Sequence, residues 1–213
     1  MKLGVLGGTF DPPHVGHLIL AEEARTSLQL ERVLFVPAGD PWRKAGQHVT
    51  PAEHRLAMLR LALAADPCFE VCTLEVERPG PSYTVDTLEA LDRRHRPGAE
   101  LYFILGEDAL HDLPNWKEPE RIVDLAWLAV APRAQSSGLT TSALDAAVPG
   151  LSQRIVPVAM PTIDISSTGL RARARAGQSL RYLVPLAVEE YIRRHGLYGR
   201  NQEPGTGEPE HST

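Results

Sequence analysis

Residues 7–18 of the chain, Gly-Gly-Thr-Phe-Asp-Pro-Pro-His-Val-Gly-His-Leu, indicate a glycine-rich turn between a strand and a helix. The apolar run Leu3–Leu6 before them predicts a buried strand, and the run Leu18–Ala24 after them predicts a helix. We expect Asp11 to cap that helix, because its side chain can accept from a free N–H of the first turn, and we expect a proline inside that turn.

Two histidines, His14 and His17, lie three residues apart at the predicted helix start, so they should share one face of its first turn. Glycines such as Gly7 and Gly8 let a ligand approach the backbone closely. Because a helix N-terminus offers free N–H groups and a partial positive charge, the segment predicts a phosphate site. Gly16 supports this interpretation, since glycine costs helix stability. A structural role or metal ligation stays open, although no Cys or carboxylate is an obvious third ligand.

Length, composition and charge limit the classes of protein to which the chain can belong. A chain of 213 residues can bury one core, and we expect a single domain, 1–198, followed by a disordered polar tail, 199–213. The net charge of −5 gives no support for a nucleic-acid or membrane partner. No apolar run approaches the roughly 20 residues of a membrane span, and no signal peptide is recognisable. Cys68 and Cys72 are predicted to be small core residues, and we expect a cytoplasmic protein.

Predicted strands and helices alternate along the rest of the chain. Further strands are predicted at 33–36, 69–76, 101–105, 127–130 and 155–158. Helices are predicted from a Thr50–Glu53 capping box to about 65, from Ser82 or Thr84 to about 96, and at 120–125, 167–176 and 185–195. A mobile loop is predicted at 134–143. This alternation favours a parallel sheet with helices on both faces, whose ligands bind beyond the carboxyl ends of the strands.

A second phosphate motif is Ile-Ser-Ser-Thr-Gly-Leu-Arg at 165–171. Hydroxyl and N–H groups at a helix start bind phosphate, and Arg171, one turn further on, can clamp phosphate oxygens with its planar fork. A plain helix cap with a solvated arginine is the alternative. Two common nucleotide motifs are absent from the chain, the dinucleotide fingerprint G-x-G-x-x-G after the first strand and the P-loop G-x-x-x-x-G-K-[ST].

The two phosphate motifs together closely resemble those of bacterial nicotinate-nucleotide adenylyltransferases, members of the nucleotidyltransferase superfamily. The resemblance extends over nearly the whole chain. It departs at Trp42-Arg43, where many members have Pro-His, and in the loop 134–143. It includes the segments Pro41–Lys44, Gly80–Leu88, Phe103–Asp108, Leu113–Trp116 and Gly196–Tyr198.

The resemblance implies an α/β, Rossmann-like, doubly wound parallel sheet of about five or six strands. It implies transfer of the adenylyl group of ATP to nicotinate mononucleotide, with Mg²⁺ bound through the ATP phosphates and not by protein side chains. The implied phosphate-transfer residues are His14, His17 and Arg171. Further ATP contacts are expected at Gly7, Gly8, Thr9, Phe10, Gly16, Gly106, Arg133, Ser166, Ser167 and Thr168. Mononucleotide contacts are expected at Lys44, Tyr83, Thr84, Asp108 and Trp116.

The residue types agree with these roles. The flat face of Trp116 suits stacking on a pyridine ring, Lys44 is a point charge suited to a substrate phosphate, and Asp108 can accept from ribose hydroxyls. Each also has a plain structural interpretation, as a partly buried, a solvated or a capping residue. Other functions stay open: an adenylyltransferase for nicotinamide mononucleotide or pantetheine phosphate, or a nucleotide-binding module without catalysis. The sequence also leaves room for a homo-oligomer.

Overall fold

The computed structural model describes residues 1–42, 48–95, 97–132 and 142–199. Within these ranges the chain forms one sheet of six strands, all parallel, in the order β3-β2-β1-β4-β5-β6. The predicted α/β doubly wound architecture is thereby confirmed. The strands are β1 (Lys2–Gly8), β2 (Arg32–Pro37), β3 (Phe69–Val71), β4 (Glu100–Gly106), β5 (Ala126–Ala131) and β6 (Ile155–Pro157).

The first seven helices lie between successive strands, the last two follow β6, and helices cover both faces of the sheet. They are α1 (Val15–Leu28), α2 (Ala52–Leu63), α3 (Leu74–Glu77), α4 (Thr84–His95), α5 (Glu107–Asp112), α6 (Pro119–Leu125), α7 (Ser142–Ala147), α8 (Ser167–Arg175) and α9 (Leu186–Arg194). Among the described residues, no helix has the length and apolarity needed to cross a bilayer. The predictions missed α3, α5 and α7, which at four to six residues are too short to show a helical period.

Alternating strand residues supply the two layers of the core. Leu3 and Val5 of β1 belong to the cluster that contains Leu110 of α5, whereas Leu6 belongs to the cluster that contains Ala21 of α1. The helices that follow β1 and β4 therefore lie on opposite faces of the sheet. Neighbouring strands whose connections diverge in this way leave a crevice at their carboxyl ends, where ligands of such sheets bind.

The predicted strand 69–76 is wrong in its second half. The N–H groups of Val33 and Phe35 face β3, and Val33 donates to the carbonyl of Cys68 at 2.9 Å. The next residue of β2 with this orientation is Pro37, which has no N–H to donate. The ladder therefore ends at Val71, and the chain turns into α3.

The predicted caps of α1 and α2 are also wrong. His14, not Asp11, is the N-cap of α1, and Pro51 is the N-cap of α2, with no capping bond from the side chain of Thr50. The carboxylate of Asp11 is buried and accepts instead from the backbone N–H of Thr50 at 3.2 Å and from the hydroxyl of Tyr198 at 2.6 Å. At Asp11, distant partners have replaced the expected local cap.

Candidate active site

Two adjoining cavities open at the carboxyl ends of β1 and β4. The smaller cavity, of about 520 Å³, includes Thr84 and Trp116 in its wall, and the larger, of about 820 Å³, includes His14 and Asp108. His17, Leu20 and Gly106 belong to the walls of both. A ligand in one cavity would therefore meet a ligand in the other beside His17.

The two histidines form a stacked pair at the start of α1. Their ring centroids are 3.7 Å apart, and the backbone N–H of His14 donates to Nδ1 of His17 at 3.2 Å. Because Nδ1 of His17 accepts, the neutral ring carries its proton on Nε2. The ring of Phe10, which is buried, packs edge-on against His17 with the centroids 5.0 Å apart. His17 therefore has a fixed ring orientation and a defined donor.

His14 is neutral in the folded protein. Burial lowers the pKa of its imidazole to about 4, because the charged form loses its hydration. Its Nδ1 is buried and has no hydrogen-bond partner among the described residues. A Cβ at Gly16 would lie 3.1 Å from this atom, so glycine gives the His14 ring its space. This packing role of Gly16 was not anticipated from the sequence.

Hydrogen bonds join the second phosphate motif to the loop that precedes α1. The hydroxyl of Ser167 donates to the carbonyl of Pro12 at 2.9 Å, and Nη1 of Arg171 donates to the carbonyl of Asp11 at 2.8 Å. Ser166 caps α8 by accepting from the N–H of Gly169 at 3.1 Å. The structure thus brings the two motifs together, although residues 166–168 and Arg171 stand beside the walls of the two cavities and not in them.

Beneath this loop lies Arg55, a buried residue that the sequence analysis missed. It is 1% exposed, and its guanidinium donates to the carbonyl oxygens of Thr50 at 2.8 Å, Thr9 at 2.9 Å and Gly39 at 3.3 Å. Burial lowers the pKa of Arg55, and the nearby Asp11 opposes that change. One sequence signal could have revealed it: the core residues at its i+3 and i+4 positions place Arg55 on the buried face of α2.

The glycine-rich turn lies at the smaller cavity, together with two of the predicted mononucleotide residues. Gly7, Gly8 and Thr9 form part of its wall, together with Thr84 and Trp116. Two contacts fix the orientation of the Trp116 ring. It packs edge-on against Phe103, with the ring centroids 6.0 Å apart, and its Nε1 donates to Asp112 Oδ2 at 3.0 Å.

Four other predicted site residues do not belong to the wall of the smaller cavity or lie outside the described residues. Asp108 belongs to the wall of the larger cavity and not of the smaller. Tyr83 packs beside Trp42, with ring centroids 6.0 Å apart, and does not enter either wall. Lys44 and Arg133 lie outside the described residues, as do most of the loop 134–143 and the tail from residue 200.

The described ranges contain no group of three or more His, Cys, Asp or Glu side chains that could hold a metal ion. A magnesium ion in proteins commonly takes only one or two carboxylates and completes its shell with water and substrate phosphates.

Comparisons with known proteins agree with this geometry. The cytidylyltransferase-like family model matches residues 5–173. A probable nicotinate-nucleotide adenylyltransferase of Thermomicrobium roseum is 52% identical over 197 residues, covering 92% of this chain and 91% of that protein. Another, of Thermus thermophilus, is 48% identical and covers 93% and 100% respectively.

Solved structures show the same fold at low sequence identity. The nicotinic acid mononucleotide adenylyltransferase of Plasmodium falciparum, complexed with NaAD, superposes with a TM-score of 0.76 at 20% identity, covering 92% of this chain and 97% of that one. On the strength of the family model and the bacterial relatives, the chain belongs to the cytidylyltransferase-like family and, within it, to the nicotinate-nucleotide adenylyltransferases.

Proposed function

We propose that this enzyme transfers the adenylyl group of ATP to nicotinate mononucleotide, giving nicotinate adenine dinucleotide and pyrophosphate. The observation that carries the proposal is the meeting of two cavities at His17 and Gly106, at the point where the sheet changes winding direction. A transfer between two phosphorylated substrates needs such a shared boundary, because the reacting phosphates must approach each other in line.

The walls suggest which substrate each cavity takes. The smaller cavity has aromatic rings from Trp42 and Trp116 and a hydroxyl from Thr84, a set suited to a pyridine ring with a polar substituent. The larger cavity then receives ATP. This assignment moves Asp108 from the mononucleotide to ATP, where its carboxylate can accept from ribose hydroxyls.

The reaction needs no covalent enzyme intermediate, since the nucleophile is the phosphate of the mononucleotide. One of its oxygens attacks the α-phosphorus of ATP, the bond from that phosphorus to the bridging oxygen breaks, and pyrophosphate leaves with the bond electrons. The enzyme contributes positioning and stabilisation of the charge that grows on the leaving group. The donors proposed for this role are Nε2–H of His17, the buried ring of His14 and, after it exchanges its contact with the Asp11 carbonyl, Arg171.

We propose that Mg²⁺, held by the ATP phosphates and not by protein side chains, would shield their negative charge. The protein would stabilise the same charge through N–H donors of the turn after β1 and of α1. Because burial keeps His14 neutral at pH 7, it serves as a hydrogen-bond donor and not as a fixed cation.

The direct test is release of pyrophosphate from ATP with a panel of acceptors: nicotinate mononucleotide, nicotinamide mononucleotide and pantetheine phosphate. We expect turnover to be fastest with nicotinate mononucleotide and a dinucleotide product to accumulate in equal amount. Turnover with pantetheine phosphate alone would contradict the proposal, and absence of turnover with every acceptor would favour a binding module without catalysis.

Trp116→Ala should weaken mononucleotide binding by roughly 1–3 kcal/mol, the range found when an aromatic ring that stacks on a base is removed. The Kd for ATP should change little, because Trp116 contributes to the smaller cavity only. Calorimetric titration with each substrate measures both constants. A matched control is Trp127→Ala, which removes a tryptophan that stacks on Tyr102 away from both cavities. Equal weakening of both substrates by Trp116→Ala would indicate a structural role.

A further inference from the structure

Glu75 is a buried carboxyl group in the wall of the smaller cavity, and the proposed phosphate chemistry does not use it. It lies on the short helix α3 and is 8% exposed. Burial raises its pKa, while the hydroxyl groups of Thr87 and Ser82 and the charge of Arg78 oppose that change. Buried carboxyl groups are costly unless they are hydrogen-bonded, so the partners of Glu75 are informative.

The hydroxyl group of Thr87 donates to Glu75, and the hydroxyl group of Ser82 stabilises the charged form of the same carboxyl. Oγ of Ser82 accepts from the backbone N–H groups of Gly39 at 2.9 Å and Asp40 at 3.3 Å. Its single proton is then left for another acceptor, and the hydroxyl lowers the pKa of the nearby Glu75 carboxyl. Oγ1 of Thr87 accepts from Nη2 of Arg78 at 3.2 Å and donates to Glu75 Oε1 at 2.7 Å.

These bonds join three segments that form the rim of the smaller cavity. The segment 38–42 carries Trp42, α3 carries Glu75, and the segment 81–84 leads to Thr84 at the start of α4. The first and third are also joined directly, because the N–H of Ser82 donates to the carbonyl of Asp40 at 2.8 Å.

The first and second of these segments approach each other as closely as a backbone allows. A Cβ at Gly39 would lie 2.1 Å from the carbonyl oxygen of Glu75, so no side chain fits between them. Main-chain contact therefore sets the distance between segment 38–42 and α3, and the Glu75 carboxyl lies at the centre of the hydrogen-bond network.

We propose that Glu75 is a positioning residue for the mononucleotide: through Ser82 and Thr87 it holds Trp42 and Thr84 at the separation that the substrate requires. The proposal rests on the proposed function, which assigns the smaller cavity to the mononucleotide. Glu75 acts through other residues and needs no contact with the reacting phosphates. Its loss should therefore affect one substrate and not the other.

The test compares Glu75→Ala and Glu75→Gln by steady-state kinetics with each substrate varied in turn. Leaving two buried hydroxyl groups without their acceptor should raise the KM for nicotinate mononucleotide by about tenfold or more in Glu75→Ala, with the KM for ATP within about twofold of the wild type. Glu75→Gln keeps an acceptor oxygen and should recover most of that loss. The control is Glu77→Ala on the same helix, whose exposed carboxylate accepts from Thr73 at 2.6 Å.

Ser82→Ala provides a second test if Glu75→Ala folds poorly, because it leaves the carboxyl in place and removes the hydroxyl that accepts from Gly39 and Asp40. It should raise the same KM selectively, and titration of the folded protein with nicotinate mononucleotide should show the same loss of affinity. Equal increases in both KM values, or an unchanged KM for the mononucleotide in an enzyme that turns over, would overturn the positioning role of Glu75. Neither result would contradict the proposed function. A wild-type enzyme that does not use nicotinate mononucleotide would overturn the proposed function and this role together.

Discussion

His17→Ala should lower kcat by about 10²–10³, the usual cost of losing one preorganised donor to a developing negative charge. His17 stands at the boundary of both cavities, and its neutral ring carries the proton on Nε2 because Nδ1 accepts from the backbone N–H of His14. A donor that acts mainly in the transition state should change kcat and kcat/KM to a similar extent and leave KM nearly unchanged. Single-turnover measurements at saturating substrates would show the effect on the chemical step directly.

A control for this variant is His95→Ala, which removes a histidine at the end of α4, outside both cavities. Thermal unfolding should confirm that His17→Ala retains its fold, since the ring packs against Phe10 and its loss removes some buried contact. Near-normal turnover in a folded His17→Ala enzyme would show that the leaving group is stabilised by other donors.

The second large effect is expected in the choice of acceptor. The helix α4 begins at Thr84, which belongs to the wall of the smaller cavity, and the start of a helix favours an anion. The carboxylate of nicotinate mononucleotide can accept from such donors at both oxygens, whereas an amide leaves one donor without an acceptor. Sites built from polar contacts discriminate strongly against an analogue that cannot pair with them. We expect a preference for the acid of at least about 10²-fold in kcat/KM, or roughly 2.7 kcal/mol.

Side-by-side kinetics with the acid and the amide at saturating ATP would measure this preference. Thr84→Val keeps the shape of the side chain and the backbone donors, so it should reduce the preference without abolishing it. Comparable kcat/KM values for the two mononucleotides in the wild-type enzyme would mean dual specificity and would remove the reason for assigning Thr84 to the carboxylate.

Local pattern was sufficient for the main elements of the fold. A parallel doubly wound sheet could be predicted from the apolar strands β1, β2, β4 and β5 and the periodic helices between them. Strands that are buried on both faces are nearly continuous runs of apolar residues, which a sequence shows directly. The same local pattern placed His14 and His17 on one face of a helix start, where they stack at 3.7 Å. Spacing along a helix is a property of neighbouring residues, so a sequence contains it.

Only the tertiary structure decided which partners the polar side chains take. Asp11, expected as a helix cap, is bound by Tyr198, 187 residues away in the chain, and Arg55 joins three loops that the sequence gives no reason to bring together. Asp108 follows its strand as expected, yet which of two cavities it faces depends on how the whole sheet is wound. A buried charge or hydroxyl must satisfy its hydrogen bonds with whatever the fold places beside it, and those neighbours come from distant parts of the chain that no local pattern describes.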